Sequence, residues 1–505
     1  MRRAAGTPLS RSMRLSRFDA AAVARKARAR YHGRGILPGG RDPSMTEAER
    51  LAAFVVRASY ADLSAAAVEQ LKIRILDSLG CAAGAVEGEP VRMIRALVEE
   101  FGGAPRCTLI GGGAAPPDRA ALYNGALVRY LDFNDSYIAP GETCHPSDNL
   151  GAVLAAAEYA GVTGRDLLVA LGVAYQVQCR LSDVAPVRAR GFDHTTQGSY
   201  AAAAGVARAL GLDAARTANA VAISGTAFNA LRVTRTGPLS HWKGLAYPNT
   251  AACATHATFL AARGITGPPL VFEGNKGFME SIAGPFELDW EREDLERVTR
   301  TSVKKYNAEF HSQSTLEGVL ELRAEHDIRP EQVDRIEIET FDVAYHIIGG
   351  GEEGDKTIVR TKEEADHSLH YMVAVALLDG QVLPEQYAPE RIVREDVQSL
   401  LRRVTVQPGE AFSRQFPARM PCRITIRLRD GRALTREKED FEGFHTRPMR
   451  WATVVEKFDR LAAPSTDTAL RREIAAAVAT LEAIPVGDLT RLLARVRVPA
   501  TVPPA

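Results

Sequence analysis

Residues 199–228, "SYAAAAGVARALGLDAARTANAVAISGTAF", decide the main architecture. Alanine, glycine and serine dominate every face of the stretch at helical spacing. Gly211 supplies a left-handed stop for one helix, and Asp213 stands where the N-cap of the next belongs. Helices with so little side-chain bulk can approach closely, which predicts a compact bundle. Working outward, "LSAAAVEQLKIRILDSLGCAAGA" (63–85) repeats Val68, Leu71, Ile75 and Leu79 at helical spacing behind a capping Ser64. "GRDLLVALGVAYQVQCRLSD" behaves likewise. The helical pattern runs from Met45 to about residue 265.

The texture changes near "TGPPLVFEGNKG" (266–277). Beyond it, "RIEIETF" (335–341) and "RRVTVQP" alternate as strands do, and "CRITIRLRDGRALTRE" reads as a hairpin turning at Asp430-Gly431. Helical patterns such as "STLEGVLELRAEH" and "YMVAVALLDG" lie between them without a regular βαβ rhythm. That combination predicts an α+β region with a largely antiparallel sheet. After about residue 445 the chain turns helical again, in "WATVVEKFDRL" and "ALRREIAAAVATLEAI", and is expected to pack back on the first region.

At 505 residues the chain exceeds one ordinary core. Its formal charge of +1 conceals an asymmetry: residues 1–44 hold ten Arg and one Lys against Asp19 and Asp42, so that head carries +9 and the remainder −8. A mildly acidic body argues against nucleic-acid binding through a broad basic face. The head is a non-structural extension before Met45 or an Arg- and Ser-rich mitochondrial transit peptide. No apolar secretory core follows the arginines, and no stretch reaches the roughly 18 apolar residues of a membrane span. The six cysteines are widely spaced, which disfavours a disulfide framework, a structural zinc and an iron–sulfur cluster, and fits a reducing cytosol.

The chemistry concentrates in "LDFNDSYIAPGETCHPSDN" (131–149). Asp132, Asp135, His145 and Asp148 could ligate a divalent ion, form an acid–base site, or make turns in a solvated loop. "GGGEEGDKT" (349–357) resembles a phosphate-binding loop, but Asp355 separates Gly354 from Lys356, which that motif keeps adjacent. No Gly-x-Ser-x-Gly elbow supports a serine hydrolase. Three further clusters add His194 ("GFDHTTQGSY"), Arg232, Arg235 and Lys243 ("ALRVTRTGPLSHWKGLAYPNTA"), and Lys304, Lys305 and His311 ("SVKKYNAEFHSQST"). Several cations facing one acid–base loop suit a polycarboxylate substrate, since Arg offers forked donors and Lys a point charge.

"DFND…HPSDN", "GFDHT", "KKY.AEFHSQS", "ADHSL.YMVAVALLDG", "MPCRITIRLRDG" and "GFHTRPM.W..VVEKF" together resemble the MmgE/PrpD family, in order from about residue 46 to about 490. That family includes 2-methylcitrate dehydratase, cis-aconitate decarboxylase and iminodisuccinate epimerase. The resemblance implies an all-α domain from residues 45–268 and 442–505, an inserted α+β lid from residues 269–441, and a homodimer. It also implies a site between the domains that uses neither metal nor cofactor.

Carried over by motif, Asp132, His145, His194 and Lys243 match catalytic positions. Lys304, Ser136 (where relatives often have Thr) and Tyr345 match substrate-binding ones. Asn307 departs from the usual Pro, His370 stands where many relatives have Pro, and Lys305 leaves the lysine register open. The expected reaction is metal-independent dehydration of a tricarboxylate, 2-methylcitrate first, in the cytoplasm, or in the mitochondrial matrix if the head is a transit peptide. Decarboxylase and epimerase activities of the same family stand as alternatives, with a metal-dependent hydrolase or a non-catalytic interaction protein as rivals of other classes. In the favoured mechanism His145 moves the proton, oriented by Asp132, with His194 second. Lys243, Lys304 and Arg232 receive the charge that develops on the substrate carboxylate.

Overall fold

The computed structural model of the chain describes residues 44–237 and 239–498. The chain divides into two units, Met1–Thr46 and Glu47–Ala505. The expected basic extension, residues 1–44, lies outside the described residues apart from Ser44. All the architecture that follows belongs to the second unit.

Its first part is helical, as the alanine-rich pattern predicts. The helices that matter most here are α1 (Ala65–Gly84), α2 (Pro117–Tyr130), α3 (Leu150–Ala160), α4 (Gly164–Val184), α5 (Thr195–Ala209), α6 (Ala214–Ala227) and α7 (Trp242–Ala262). Ser64 Oγ accepts from Ala67 N (3.1 Å) and Asp213 Oδ1 from Arg216 N (2.8 Å), each satisfying an amide that the helix start leaves open. Gly211, at φ 65°, turns the chain between α5 and α6.

Small residues do bring helices into backbone contact. A Cβ placed on Gly151 of α3 would stand 2.5 Å from the amide nitrogen of Gly125 in α2. One placed on Gly198 of α5 would stand 2.3 Å from the ring of Tyr247 in α7. That ring is therefore pressed beneath α5, its hydroxyl within 2.9 Å of Asn149 Oδ1 and 3.0 Å of Gln178 Oε1.

A mixed sheet occupies the second part: β3 (Val333–Thr340), β4 (Val404–Pro408), β5 (Cys422–Leu428) and β6 (Ala433–Lys438), in the order β4-β3-β5-β6. A two-stranded ribbon earlier in the chain supplies β1 (Tyr137–Ala139) and β2 (Glu142–Cys144). β5 and β6 form the expected hairpin, with Gly431 at φ 91° in the turn. β3 pairs antiparallel with β5 and parallel with β4. Ile336 and Ile338 of β3 face a core completed by α8 (Gln313–Glu325), α9 (Leu369–Asp379) and α10 (Glu395–Leu401).

The apolar side chains separate into two main cores. The larger takes residues up to Val303, then Leu383 and Met449 to Val496, so α11 (Trp451–Ala462) returns to the helical part, with Phe458 against Gly80 of α1. The second runs from Ala308 to Leu428. Val271, Phe272, Phe278 and Ile282 pack in the larger one, and the change of core falls between Val303 and Ala308. Among the described residues no helix is long and apolar enough to cross a membrane.

Candidate active site

The polar loop after α2 is buried rather than solvated, and its shape follows from its turn residues. Asp132 takes φ 53°, a left-handed conformation that Asp and Asn accept more readily than most residues. Gly141, at φ 74°, then folds β1 back on β2. Ser136 exchanges two backbone hydrogen bonds of 2.8 Å with Ser302, which brings the segment carrying Lys304 alongside. From α11, the ammonium of Lys457 donates to the carbonyls of Phe133 (2.9 Å) and Lys304 (2.8 Å) and pairs with Asp77 (2.6 Å).

His145 is held by main chain. Its Nδ1 lies 2.7 Å from the Asp135 carbonyl and 3.1 Å from Ser136 Oγ. A carbonyl only accepts, so Nδ1 carries the proton and Nε2 keeps its lone pair. Asp132 does not orient this ring, contrary to the sequence-based expectation, because three cations occupy its carboxylate. Arg129 Nη1 stands 2.6 Å and Lys304 Nζ 2.8 Å from Oδ1, and Lys243 Nζ is 3.1 Å from Oδ2. Burial lowers the pKa of His145 well below the usual imidazole value, and Arg129 and Lys304 push the same way.

His194 meets His145 edge-on at 5.4 Å between ring centroids and lies 6.1 Å above Tyr247. Burial holds its pKa down to about 3, against the pull of Asp193. Among the described residues, neither of its nitrogens has a hydrogen-bond partner. Two adjacent imidazoles are thus neutral at pH 7, one of them with polar atoms left for a ligand.

Lys243 sits behind this pair rather than on the cavity wall. Its ammonium lies 2.7 Å from Asp366 Oδ1 and 2.9 Å from His367 Nδ1, besides Asp132. His367 Nδ1 is also 2.8 Å from Asp366 Oδ1, so it accepts from the lysine or donates to the carboxylate, one tautomer excluding the other. Burial alone would raise the pKa values of Asp132 and Asp366, but the surrounding cations reverse the shift and keep both ionised. Lys304, not Lys305, faces the site. Lys305 turns away to Glu442 (2.8 Å) and Glu317 (3.5 Å).

Asp132, Asp366 and His367 offer donor atoms within 4.8 Å of one another, the spacing of a metal site. Lys243 contacts all three, so a divalent ion there would have to displace an ammonium already neutralised by two carboxylates. The loop acids weighed as ligands do not converge: Asp135 accepts from Ser147 N (3.0 Å) and Asp148 from Asn134 Nδ2 (2.8 Å).

His145, His194, Asp132 and His367 line a cavity of about 60 Å³ together with the cations Arg129, Arg188, Arg232, Arg235 and Lys304. Arg235 forks onto Asp193, with Nε 2.6 Å from Oδ2. Arg232 reaches Glu353 Oε1 at 3.0 Å. Tyr345 does not line the cavity. It packs on the second core, and Ile347 and Glu353 face the cavity from that side instead.

Two family models match most of the chain. The MmgE/PrpD N-terminal domain matches residues 49–291 and the MmgE/PrpD C-terminal domain residues 306–483. The chain belongs to the MmgE/PrpD family. Among curated MmgE/PrpD relatives, it is 28% identical to 2-methylcitrate dehydratase of Cupriavidus necator over 449 residues, 82% of this chain and 90% of the relative. It is 27% identical to the mitochondrial 2-methylcitrate dehydratase of Yarrowia lipolytica over 423 residues, covering 79% and 80%. Cis-aconitate decarboxylase of Mus musculus matches at 25% over 421 residues, covering 77% and 81%.

Several residues of this MmgE/PrpD site escape a reading of the sequence. Arg129 looks like an ordinary helix arginine in α2, and Asp366 and His367 lie in "ADHSL" without an obvious role. Glu309, paired at 2.7 Å with the His311 already marked in "AEFHSQ", also reaches the cavity. Burial would raise the pKa of Glu309, but His311 brings it down to about 2. The spacing Glu-x-His was the available signal for Glu309.

Proposed function

We propose that this chain is a metal-independent hydro-lyase that removes water from a small tricarboxylate, 2-methylcitrate being the first candidate. The observation that carries the reading is His145, fixed by the Asp135 carbonyl with its other nitrogen basic, in a cavity walled by five cations. The names of the dehydratase relatives support the substrate class, as does the "AEFHSQ" motif, closer to that branch than to the decarboxylase.

Neutral His145 takes the proton on the carbon beside a carboxylate. Electrons of that bond form the new C=C as the neighbouring hydroxide departs, and negative charge gathers on the carboxylate in between. Lys304, Arg129 and Arg232 stabilise that charge. Loss of one such donor commonly costs about 10²–10³ in rate. The neutral imidazole of His194 supplies a hydrogen bond to the hydroxyl. Lys243 acts through Asp132 and His367, which it holds in place, and Ser136 steadies the His145 ring.

The same reading treats the second core as a lid over the helical domain, starting after Val303 rather than at residue 269 and ending near residue 441. The packing of Val271, Phe272 and Ile282 supports that start. A homodimer and a cytoplasmic or matrix location belong to the reading as family expectations. Incubating the purified protein with 2-methylcitrate, citrate and cis-aconitate, while following absorbance of a new C=C bond and released CO₂, tests it. Dehydration by the wild type and at least about a hundredfold loss in His145→Gln is the expected result. CO₂ release without dehydration would transfer the chain to the decarboxylase branch. Normal turnover by His145→Gln would remove that residue from the chemistry.

A further inference from the structure

The inner cavity, at about 60 Å³, holds about four waters and no tricarboxylate. A second cavity of about 870 Å³ lies against it. The two share Glu142, Thr143, Arg188, Arg232 and Glu353 in their walls, so these side chains stand between the site and the larger space.

Arg188 and Arg232 come from different short turns, Arg188–Arg190 and Arg232–Arg235, joined by the hydrogen bond from Arg232 N to the Gly191 carbonyl (2.9 Å). Their guanidinium groups converge on one atom: Glu353 Oε1 is 3.3 Å from Arg188 Nη2 and 3.0 Å from Arg232 Nη2. Among the described residues, Glu353 is the only carboxylate paired with Arg188. The other described acid within 4 Å of Arg232, Asp193, is 3.9 Å away and already committed to Arg235. Two adjacent guanidiniums repel each other and require an anion. Burial, then Arg188, lowers the pKa of Arg232.

Glu353 is delivered by "GGGEEGDKT", the segment that fails as a phosphate-binding loop. Gly350 (φ 102°) and Gly354 (φ 92°) bracket it in conformations that other residues avoid. Between these glycines the backbone bonds are local: Gly351 N to the Tyr345 carbonyl (3.1 Å), Glu353 N to that of His346 (3.0 Å) and Gly354 N to that of Gly351 (3.1 Å). Glu353 is thus held across the boundary by its carboxylate alone, between two pivots.

We propose that Arg188 and Arg232 form the subsite for one substrate carboxylate, and that Glu353 holds this subsite as an exchangeable internal carboxylate. The inference rests on the polycarboxylate reading above and adds Arg188 as a binding residue. Exchange replaces two ion pairs with two equivalent ones. It also moves the glutamate off the boundary between the cavities, giving a tricarboxylate the volume that the inner cavity lacks. An incoming carboxylate that left Glu353 in place would set two anions side by side on one pair of cations.

The test is calorimetric titration of the full-length protein with tricarballylate, which has no hydroxyl to lose. Glu353→Gln, nearly isosteric, is expected to bind it about tenfold more tightly than wild type, and Arg188→Gln about tenfold more weakly. The double variant should gain nothing over Arg188→Gln, and thermal melts establish that each variant is folded. Wild-type binding together with unchanged or weaker binding by Glu353→Gln would overturn the exchange and leave the tricarboxylate reading standing. If folded wild type and Glu353→Gln both failed to bind tricarballylate and neither dehydrated 2-methylcitrate, the substrate class itself would fall, and this inference with it.

Discussion

Asp132→Asn separates charge from shape at the centre of the site. Asparagine keeps nearly the same volume and tolerates the left-handed backbone at φ 53°, so the substitution removes one negative charge and little else. Three buried cations then lose a partner, unequally. Lys243 keeps Asp366 at 2.7 Å, and Arg129 keeps Asp148 at 3.5 Å. Lys304, 1% exposed, has no other carboxylate within 4 Å among the described residues.

Breaking a buried pair on one side costs about 3–5 kcal/mol, because the remaining charge stays out of water. Urea unfolding at pH 7 should therefore show Asp132→Asn destabilised by about that much. Lys304→Met should cost less, since Arg129 and Lys243 still neutralise Asp132. Adding Lys304→Met to Asp132→Asn removes the stranded ammonium, and the double-mutant cycle should give a coupling of about 2 kcal/mol. A coupling below about 0.5 kcal/mol would mean that water already solvates the ammonium, and the dry, charge-balanced centre described here would be wrong.

His194 should make the protein acid-sensitive in a defined window. Its folded pKa of about 3 lies below the unfolded value near 6.5, so the unfolded state binds the extra proton and stability falls as pH drops through that interval. Between pH 7 and pH 5 the loss is about 2 kcal/mol. Comparing His194→Gln with wild type at both pH values should show the stability gap shift by that amount in the variant's favour, and a constant gap would refute the assignment. Gly151→Ala should destabilise by about 1–3 kcal/mol, since its Cβ would stand 2.5 Å from a backbone nitrogen of α2 that cannot turn aside. A thermal melt matching wild type would show that α2 and α3 can separate.

What could be read from the sequence was local. Ser64, Gly211 and Asp213 name their helix ends because a cap is a contact within three or four residues. The Asp430-Gly431 hairpin is legible for the same reason. The parallel pairing of β3 with β4 is not, since it depends on α8, α9 and α10 filling the space around the sheet. At the site, the residue types of 131–149 announced polar chemistry, but a backbone carbonyl that orients His145 leaves no mark in a sequence. Tyr345 and Ile347 show how small an error suffices. Residues two apart on a helix differ by about 200° in direction, so choosing one where the other faces inward misses the cavity wall.

Lys457 has a consequence for the order in which the site is made. It joins the carbonyls of Phe133 and Lys304, 324 and 153 positions earlier in the chain, from a helix that the ribosome produces after both. A nascent chain that has emerged through α10 possesses both histidines and both site lysines but lacks the ammonium that draws their two backbone segments together. Chemical competence therefore arrives late and all at once, when α11 docks beside α1, and an interrupted translation product carries the side chains without their alignment.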